Sequence, residues 1–493
     1  MNNTPSVLFH AENICSDRVF TRKQVEDLLS AVRGKTLHEA DVNGVLDEAV
    51  RVRPDKVVRG IAGDVIEVSV LGCQRDSRPE PDIWVDNIKT ELKTTGLVKP
   101  KNNGNREYEA KEPLTITGVA PDILKGEIFE DSRFYHKIQH LLFVFYHYCL
   151  SSTACNSGDY RSFPILGHLF WDVAEEHLET LKNDWQLVQD FVKQFDFSNE
   201  EERHKLKSNL MLIDYSSPHQ PRFRFKRSFV STIVDAFLQN RQLVRLAEKI
   251  TKFSDIDRKC HEFTVKHKDK SVAQLASEFG ILINQKDACQ KLIIKMFGSD
   301  SRSLNQIKDI SEIGMKGKTI ILNADGEKTE DMKMFKVDFE EWFNPTTTFE
   351  ENEDPSVNYS EAYSFFAEQS FLFIVFQEPR HGEKIPIGEC KFKGFKRFAF
   401  PEDFVLSDVR KTWEEARYLV FNKELKELRG RRGYAPNFPK AETNLFFFRG
   451  SGSTVADKRQ RLLKWGIDIK MYIQYAWVKG EYIASKLEEL PFL

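Results

Sequence analysis

Pro81-Asp82 and, after a short interval, Glu91-Leu92-Lys93 bring two carboxylates and one ammonium close together in the chain. If Glu91 and Lys93 lie on a strand, they point to the same face, and Asp82 can join them from the preceding turn. Two carboxylates with water and a phosphate oxygen suit Mg²⁺, a hard ion that keeps several of its waters. Such an ion polarises a phosphate and lowers the pKa of an attacking water. The lysine can orient that water or meet the charge that develops on the phosphorane oxygens. The implied chemistry is phosphodiester hydrolysis. By itself the string is common, and a solvent-facing strand with an ion pair would be written with the same letters.

The neighbouring sequence adds Glu67, in GIAGDVIEVSVLG. A carboxylate in so apolar a stretch is costly to bury unless a metal or a partner compensates it; on the wet face of a helix it would need neither. Residues 57–72 are apolar with small residues, which predicts a buried helix closed by Gly72. Residues 18–50 carry helix-period apolar positions at Val25, Leu28, Leu29 and Val32, with Thr21 as the N-cap. IWVDNIKTELKTTGLV predicts two strands joined by a turn at Asp86-Asn87, then a polar tip (KPKNNGN) and a further strand in PLTITGVAPD. The aromatic run at 139–148 predicts a buried central strand. Helices alternating with a mixed sheet give an α/β (mixed α+β) class.

The chain has 493 residues, which sets an expectation of two or three domains. With 41% hydrophobic residues, 39 Phe and 30% charged residues, it can bury a core and reads as soluble; no apolar run reaches the length of a membrane span. The N-terminus lacks the basic start and apolar stretch of a secretory signal, so the expected location is cytoplasmic. Seven scattered cysteines, without a CxxC pair, read as reduced thiols. The net charge of −3 lacks the basic excess common in nucleic-acid binders, although a DNA cleft needs only a local basic surface.

The two halves repeat one order of signals. GKTLHEADVNGVL (34–46) answers to DKSVAQLASEFGI (269–281), VLG (70–72) to the end of KLIIKMFG (291–298), and TELKTTGL (90–97) to MKGKTIIL (315–322). HLLFVFY (140–146) answers to SFLFIVF (370–376), and FKRSFVSTI (225–233) to VKGEYIASK (478–486). Five matches in one order predict a duplicated domain with a boundary near 249–259, where chance likeness of apolar strands is the competing explanation. This alignment sets Ile293 against Glu67, Lys316 against Glu91, Lys318 against Lys93 and Ala367 against Lys137, so the acidic cluster is expected once, in the first half.

Gly60, Gly63 and Glu67 (GxxGxxxE), PEPD at 79–82, ELKT at 91–94, PLTITGVAP at 113–121 and HKIQHLLFV at 136–144 occur in the order seen in the MutH family. Over roughly the first 240 residues the sequence resembles that family of mismatch-repair nicking endonucleases, with FKRSF at 225–229 resembling its C-terminal basic segment. Restriction enzymes of the family that cut at GATC carry a second MutH-like domain, as the duplication here would. The resemblance implies a restriction-endonuclease-like (PD-ExK) fold in two MutH-like domains: a catalytic one at 1–250, and one at 255–493 that lacks the catalytic residues and serves DNA binding or regulation. It implies Glu67, Asp82 and Glu91 as the acidic metal-site positions, Lys93 as the catalytic lysine and Lys137 as a further active-site lysine. The Asp82 to Glu91 interval is two residues longer than in MutH, and the region around Asp214 to Pro221 does not reproduce the family's recognition loop.

In RFRFKRSF, the cations Arg222, Arg224, Lys226 and Arg227 alternate with aromatic residues. On a strand they would form a stripe suited to phosphates of double-stranded DNA, or a charged edge that resists aggregation. Lys479 is the counterpart of Lys226 in the second half, and RGRR at 429–432 is a further basic cluster. The expected protein is a Mg²⁺-dependent type II restriction endonuclease cutting at GATC or a related short sequence, with a repair nicking enzyme and a non-catalytic DNA-binding regulator as alternatives. One acidic cluster per chain leaves a homodimer on DNA and sequential nicking both open.

Overall fold

The computed structural model describes residues 18–52, 60–74, 82–100, 106–150, 156–216, 220–238, 246, 248–283, 288–298, 307–350, 358–382, 385–430, 433–452 and 460–493. Pro81 and the rest of PEPD before Asp82, residues 101–105 of the polar tip, 217–219 of the loop after Asp214, Arg431, Arg432, Cys15 and Cys155 lie outside the described residues.

Helices α1 (Arg22–Val32), α2 (Leu37–Ala40), α3 (Val45–Val52) and α4 (Ile61–Asp64) open the first half, and α4 runs into a π-helical turn at Val65–Val70. Thr21 caps α1 as its sequence suggests, with Gln24 returning a reciprocal bond. The expected buried helix starts at Ile61, after Gly60 in the left-handed conformation (φ +80°), and ends before Gly72 (φ +70°).

Strands β1 (Val19–Phe20), β2 (Ile83–Val85), β3 (Ile88–Val98), β6 (His140–His147) and β7 (Ile165–Asp172) form one sheet in that order, with β4 (Glu109–Ala110) on the far end of β3. Asp86 and Asn87 both take positive φ (49° and 64°), as a two-residue hairpin turn that follows the twist of β2 and β3 requires. β3 and β6 run parallel, Glu91 opposite Leu141 and Lys93 opposite Phe143. β6, covered on both faces, is buried from Leu141 to Tyr146.

A second, antiparallel sheet orders β5 (Leu114–Gly118), β9 (Arg222–Phe225) and β8 (Ile213–Tyr215). The helices α5 (Pro121–Leu124), α6 (Arg133–Ile138), α7 (Glu175–Gln194), α8 (Glu200–Asn209) and α9 (Arg227–Leu238) complete this half. The class is mixed α/β.

In the second half, Met315–Leu322 runs parallel to Ser370–Gln377, which pairs antiparallel with Lys391–Phe398. A separate antiparallel sheet orders Met332–Lys336, Ile473–Val478 and Phe446–Ser451. Lys316 stands opposite Phe371 and Lys318 opposite Phe373.

Three apolar clusters hold these layers. One fills the space between α1 to α4 and one face of the first sheet, around Val25, Leu46, Ile66, Leu92 and Leu142. A second covers the other face with Phe143, Trp185 and Phe229 and continues without a break through Ile250, Phe253 and Cys260 to Leu292 and Phe395. The expected boundary near 249–259 therefore lies inside shared packing. The third, around Phe366, Phe373 and Trp413, belongs to the second half. Among the described residues, no helix is long and apolar enough to cross a membrane.

Candidate active site

β3 supplies Glu91 and Lys93 to one face of the sheet, while Leu92 between them packs into the cluster beneath α1 to α4. Glu91 is 1% exposed. Its Oε1 accepts from Lys93 Nζ at 2.7 Å and from Lys137 Nζ at 2.8 Å. Lys137 arrives from the last turn of α6, whose N-terminus is capped by Ser132; the parallel register of β3 with β6 brings that turn beside Glu91. Burying a lone carboxylate costs several kcal/mol, of the order that two ammonium partners can offset. The other oxygen, Oε2, is buried with no hydrogen-bond partner.

Asp82 sits just before β2, and its Oδ2 accepts the Leu92 backbone N–H at 2.9 Å. Its carboxyl is held above the usual range by burial and by the Glu91 charge, against the pull of Lys93, the Leu92 amide and Lys137. Glu67, on the π-helical turn, is also pushed up, by burial and then by Asp82, while Arg18 draws it down. Arg18 Nη1 donates to Glu67 Oε1 at 3.1 Å. A π-turn inserts one residue into a helix and re-aims its side chains, a device frequent at functional sites. At Gly63, α4 lies close to β3, with Thr94 Oγ1 the nearest atom to an added Cβ, at an ordinary 3.5 Å.

The five sequence-expected residues Glu67, Asp82, Glu91, Lys93 and Lys137 thus occupy one region. Among the described residues, no group of three His, Cys, Asp or Glu side chains is drawn together as a metal cluster. The Glu91 charge raises the Asp82 carboxyl, and the Asp82 charge in turn raises Glu67. Arg18 was not foreseen, because it lies 49 residues from Glu67 and belongs to no motif.

The basic stripe is a strand, but most of its charge is directed inward. Arg222 is exposed. Arg224, 8% exposed, donates to Asp214 Oδ2 at 2.8 Å and to the Tyr215 carbonyl at 3.1 Å. Lys226 donates to the Leu210 carbonyl, and burial pushes its pKa down. Arg227 donates to the Ala110 carbonyl and to Glu109, each at 2.8 Å. On β9 the alternation sends Phe223 and Phe225 into the core, but Arg224 meets Asp214, and Lys226 and Arg227 fall after the strand, where α9 begins. Three of the four cations expected on a DNA face are therefore internal ties.

In the second half, Lys479 is half-buried just before the helix Gly480–Glu488, and Arg429 lies on the strand Glu427–Gly430. Lys316 and Lys318, which the sequence sets against Glu91 and Lys93, lie on the strand Met315–Leu322. Lys316 is pushed down to about 8 by burial, then by the charges of Lys318 and Arg227. Lys318 donates to the Lys333 carbonyl at 3.3 Å. Ile293 is buried in the apolar core.

Residues 71–184, which include Asp82, Glu91, Lys93 and Lys137, match the family described as DNA mismatch repair enzyme MutH. The chain is similar to the type II restriction enzyme Sau3AI of Staphylococcus aureus, 23% identical over 537 aligned positions that cover 95% of this chain and 99% of that protein. It is also similar to the DNA mismatch repair protein MutH of Shewanella woodyi, 31% identical over 180 positions covering 34% of this chain and 67% of that protein. With the Asp82, Glu91, Lys93 and Lys137 cluster inside the matched segment, the chain belongs to the MutH family.

Proposed function

We propose that the protein is a type II restriction endonuclease that hydrolyses double-stranded DNA at a short specific sequence, GATC or a related one, with Mg²⁺ bound in the first half. It acts in the cytoplasm, where incoming DNA is met. The observation that carries the reading is Glu91: one oxygen is gripped by Lys93 and Lys137, the other is buried and bare, and the Glu91 charge raises the Asp82 carboxyl. Full-length similarity to a restriction enzyme supports the reading.

The residues fit a divalent cation. The Glu91 charge raises the Asp82 carboxyl, Glu91 Oε2 is buried with no hydrogen-bond partner, and Mg²⁺ is commonly held by one or two carboxylates and water. A bound Mg²⁺ would supply a Lewis acid at the scissile phosphate and a more acidic water. Lys137 fixes the Glu91 side chain. Lys93, less buried than Glu91, orients the attacking water and meets negative charge on the phosphate oxygens. The Leu92 amide fixes the rotamer of Asp82.

The second half is, on this reading, a copy of the fold without the acidic set, used for DNA binding or regulation. The pairing order supports it: in each half a parallel pair is extended antiparallel by a third strand, beside a three-stranded antiparallel sheet. The register supports it further, since Glu91 opposite Leu141 answers to Lys316 opposite Phe371. So do the isolated bridges from Thr36 to Pro164 and from Ser271 to Lys391, each made by the N-cap residue of a short helix.

A plasmid cleavage assay with Mg²⁺ tests the function. Linear products from wild type, lost with Asp82→Ala, are expected; an intact plasmid under all salt and metal conditions would overturn the proposal. One acidic site per chain requires either a homodimer on DNA or two successive nicks for a double-strand break. Nicked circles as the end product would instead favour a repair nicking enzyme.

A further inference from the structure

Arg18 belongs to no catalytic motif, yet its guanidinium reaches three separate segments around the acidic cleft. Nη1 donates to Glu67 Oε1 at 3.1 Å and to the Asp82 carbonyl at 2.6 Å, and Nη2 donates to the Gln74 carbonyl. The first acceptor is on the π-helical turn, the last on the chain leaving that turn, and the middle one is the backbone of the residue that carries the second carboxylate. Arg18 is 9% exposed. Its main chain also takes part: the Trp84 amide donates to the Arg18 carbonyl at 2.8 Å, and β1 then pairs with β2. Side chain and backbone of one residue therefore grip the chain on both sides of Ile83.

The backbone at Arg18 is in the left-handed region, φ +52°. For a residue other than glycine this is a strained conformation. Such a conformation persists where the surroundings fix it, and it often accompanies a functional requirement. Here it accompanies a side chain turned to both backbone carbonyls and Glu67. A planar guanidinium has five donors in a fixed fork, which suits acceptors on several segments; an ammonium is a point donor and cannot span them in the same way.

We propose that Arg18 is a positioning residue of the active site: it ties Glu67, Gln74 and Asp82 together so that the acidic cleft is assembled before a divalent cation or DNA arrives. The inference rests on the endonuclease reading for its kinetic consequence, but not for its structural one. If the tie is lost, Asp82 loses its anchor on the β1 side, and the Leu92 N–H to Asp82 Oδ2 bond is the contact that loosens. A positional error of about 1 Å in a catalytic group costs on the order of 100-fold in rate.

Arg18→Lys keeps the charge and removes the fork. Hydrogen exchange, measured without metal on the full chain, is expected to speed up in the peptide spanning residues 82–94 and to stay unchanged in β6 and β7. In DNA cleavage, kcat is expected to fall roughly 100-fold with KM unchanged. Arg18→Gln, which keeps a planar donor without the charge, should lie between Arg18→Lys and wild type in exchange. Exchange in residues 82–94 as slow as in wild type, uniformly faster exchange across the first half, or Arg18→Lys cleaving at the wild-type kcat would each overturn the proposal. A wild-type protein that cleaves no DNA would remove the endonuclease reading, and the exchange comparison would still decide whether Arg18 holds the cleft.

Discussion

The Leu92 backbone N–H donates to Asp82 Oδ2 at 2.9 Å, which links the turn before β2 to the strand that carries Glu91 and Lys93. Leu92 performs two tasks at once: its side chain anchors β3 in the apolar cluster under α1 to α4, and its amide sets the distance between the two central carboxylates.

Asp82→Asn tests the crowding of charge in this cleft. Burial and Glu91 hold the Asp82 carboxyl above its usual value, so the folded chain binds that proton more tightly than the unfolded chain does. The resulting contribution is fully present below the ordinary carboxylate pKa of about 4 and is lost as pH rises through the raised folded value. Without divalent ions, thermal melting of wild type should therefore fall relative to Asp82→Asn as pH rises above about 4. Millimolar Mg²⁺ should narrow the difference. Parallel melting curves for the two proteins across that range would show that Asp82 carries no raised carboxyl.

Arg222 and Arg224 are two residues apart but should behave in opposite ways. Arg224→Ala leaves Asp214 buried without its guanidinium and is expected to destabilise by about 3 kcal/mol, read by denaturant unfolding. Arg222→Ala should leave unfolding unchanged, weaken DNA binding and reduce the slope of log affinity against log salt by about 1.

Asp184 is fully buried and accepts the backbone amides of Met211, Leu212 and Ile213 at 2.7–3.0 Å. Burial pushes its carboxyl up to about 6, and the three amides oppose that shift. Asp184→Ala strands three buried donors at the entrance to β8, with an expected loss of about 3 kcal/mol or more, and Asp184→Asn should recover part of it. Equilibrium unfolding of the two variants provides the comparison.

The two glycines ahead of Glu67 should respond differently to alanine. Gly60 has φ +80°, so Gly60→Ala costs roughly 1 kcal/mol in backbone strain. At Gly63 an added Cβ meets only Thr94 Oγ1, at 3.5 Å, an ordinary contact. Gly63→Ala is therefore expected to fold and melt like wild type, which calorimetry would check.

What the sequence made legible was local or patterned. Strand alternation put Glu91 and Lys93 on one face, Asp86-Asn87 announced the hairpin, and the aromatic run at 139–148 read as the central strand that became β6. Lys137 came from the resemblance to MutH alone, since a helical lysine reaches Glu91 only through the parallel register of β3 and β6. Arg18 was illegible because its partners are 49, 56 and 64 residues away. The RFRFKRSF stripe misled for a related reason: a period of two says which residues share a face but not what covers it, and Asp214 and the Tyr215 and Leu210 carbonyls meet its cations.

Single-turnover cleavage of a plasmid carrying one target site, with Mg²⁺, compares wild type, Glu91→Gln and Lys316→Ala most directly. Loss of strand scission is expected with Glu91→Gln while far-UV circular dichroism shows the fold retained, and scission at the wild-type chemical rate with Lys316→Ala. Scission by Glu91→Gln at the wild-type rate, or its loss only in Lys316→Ala, would contradict a single catalytic site in the first half.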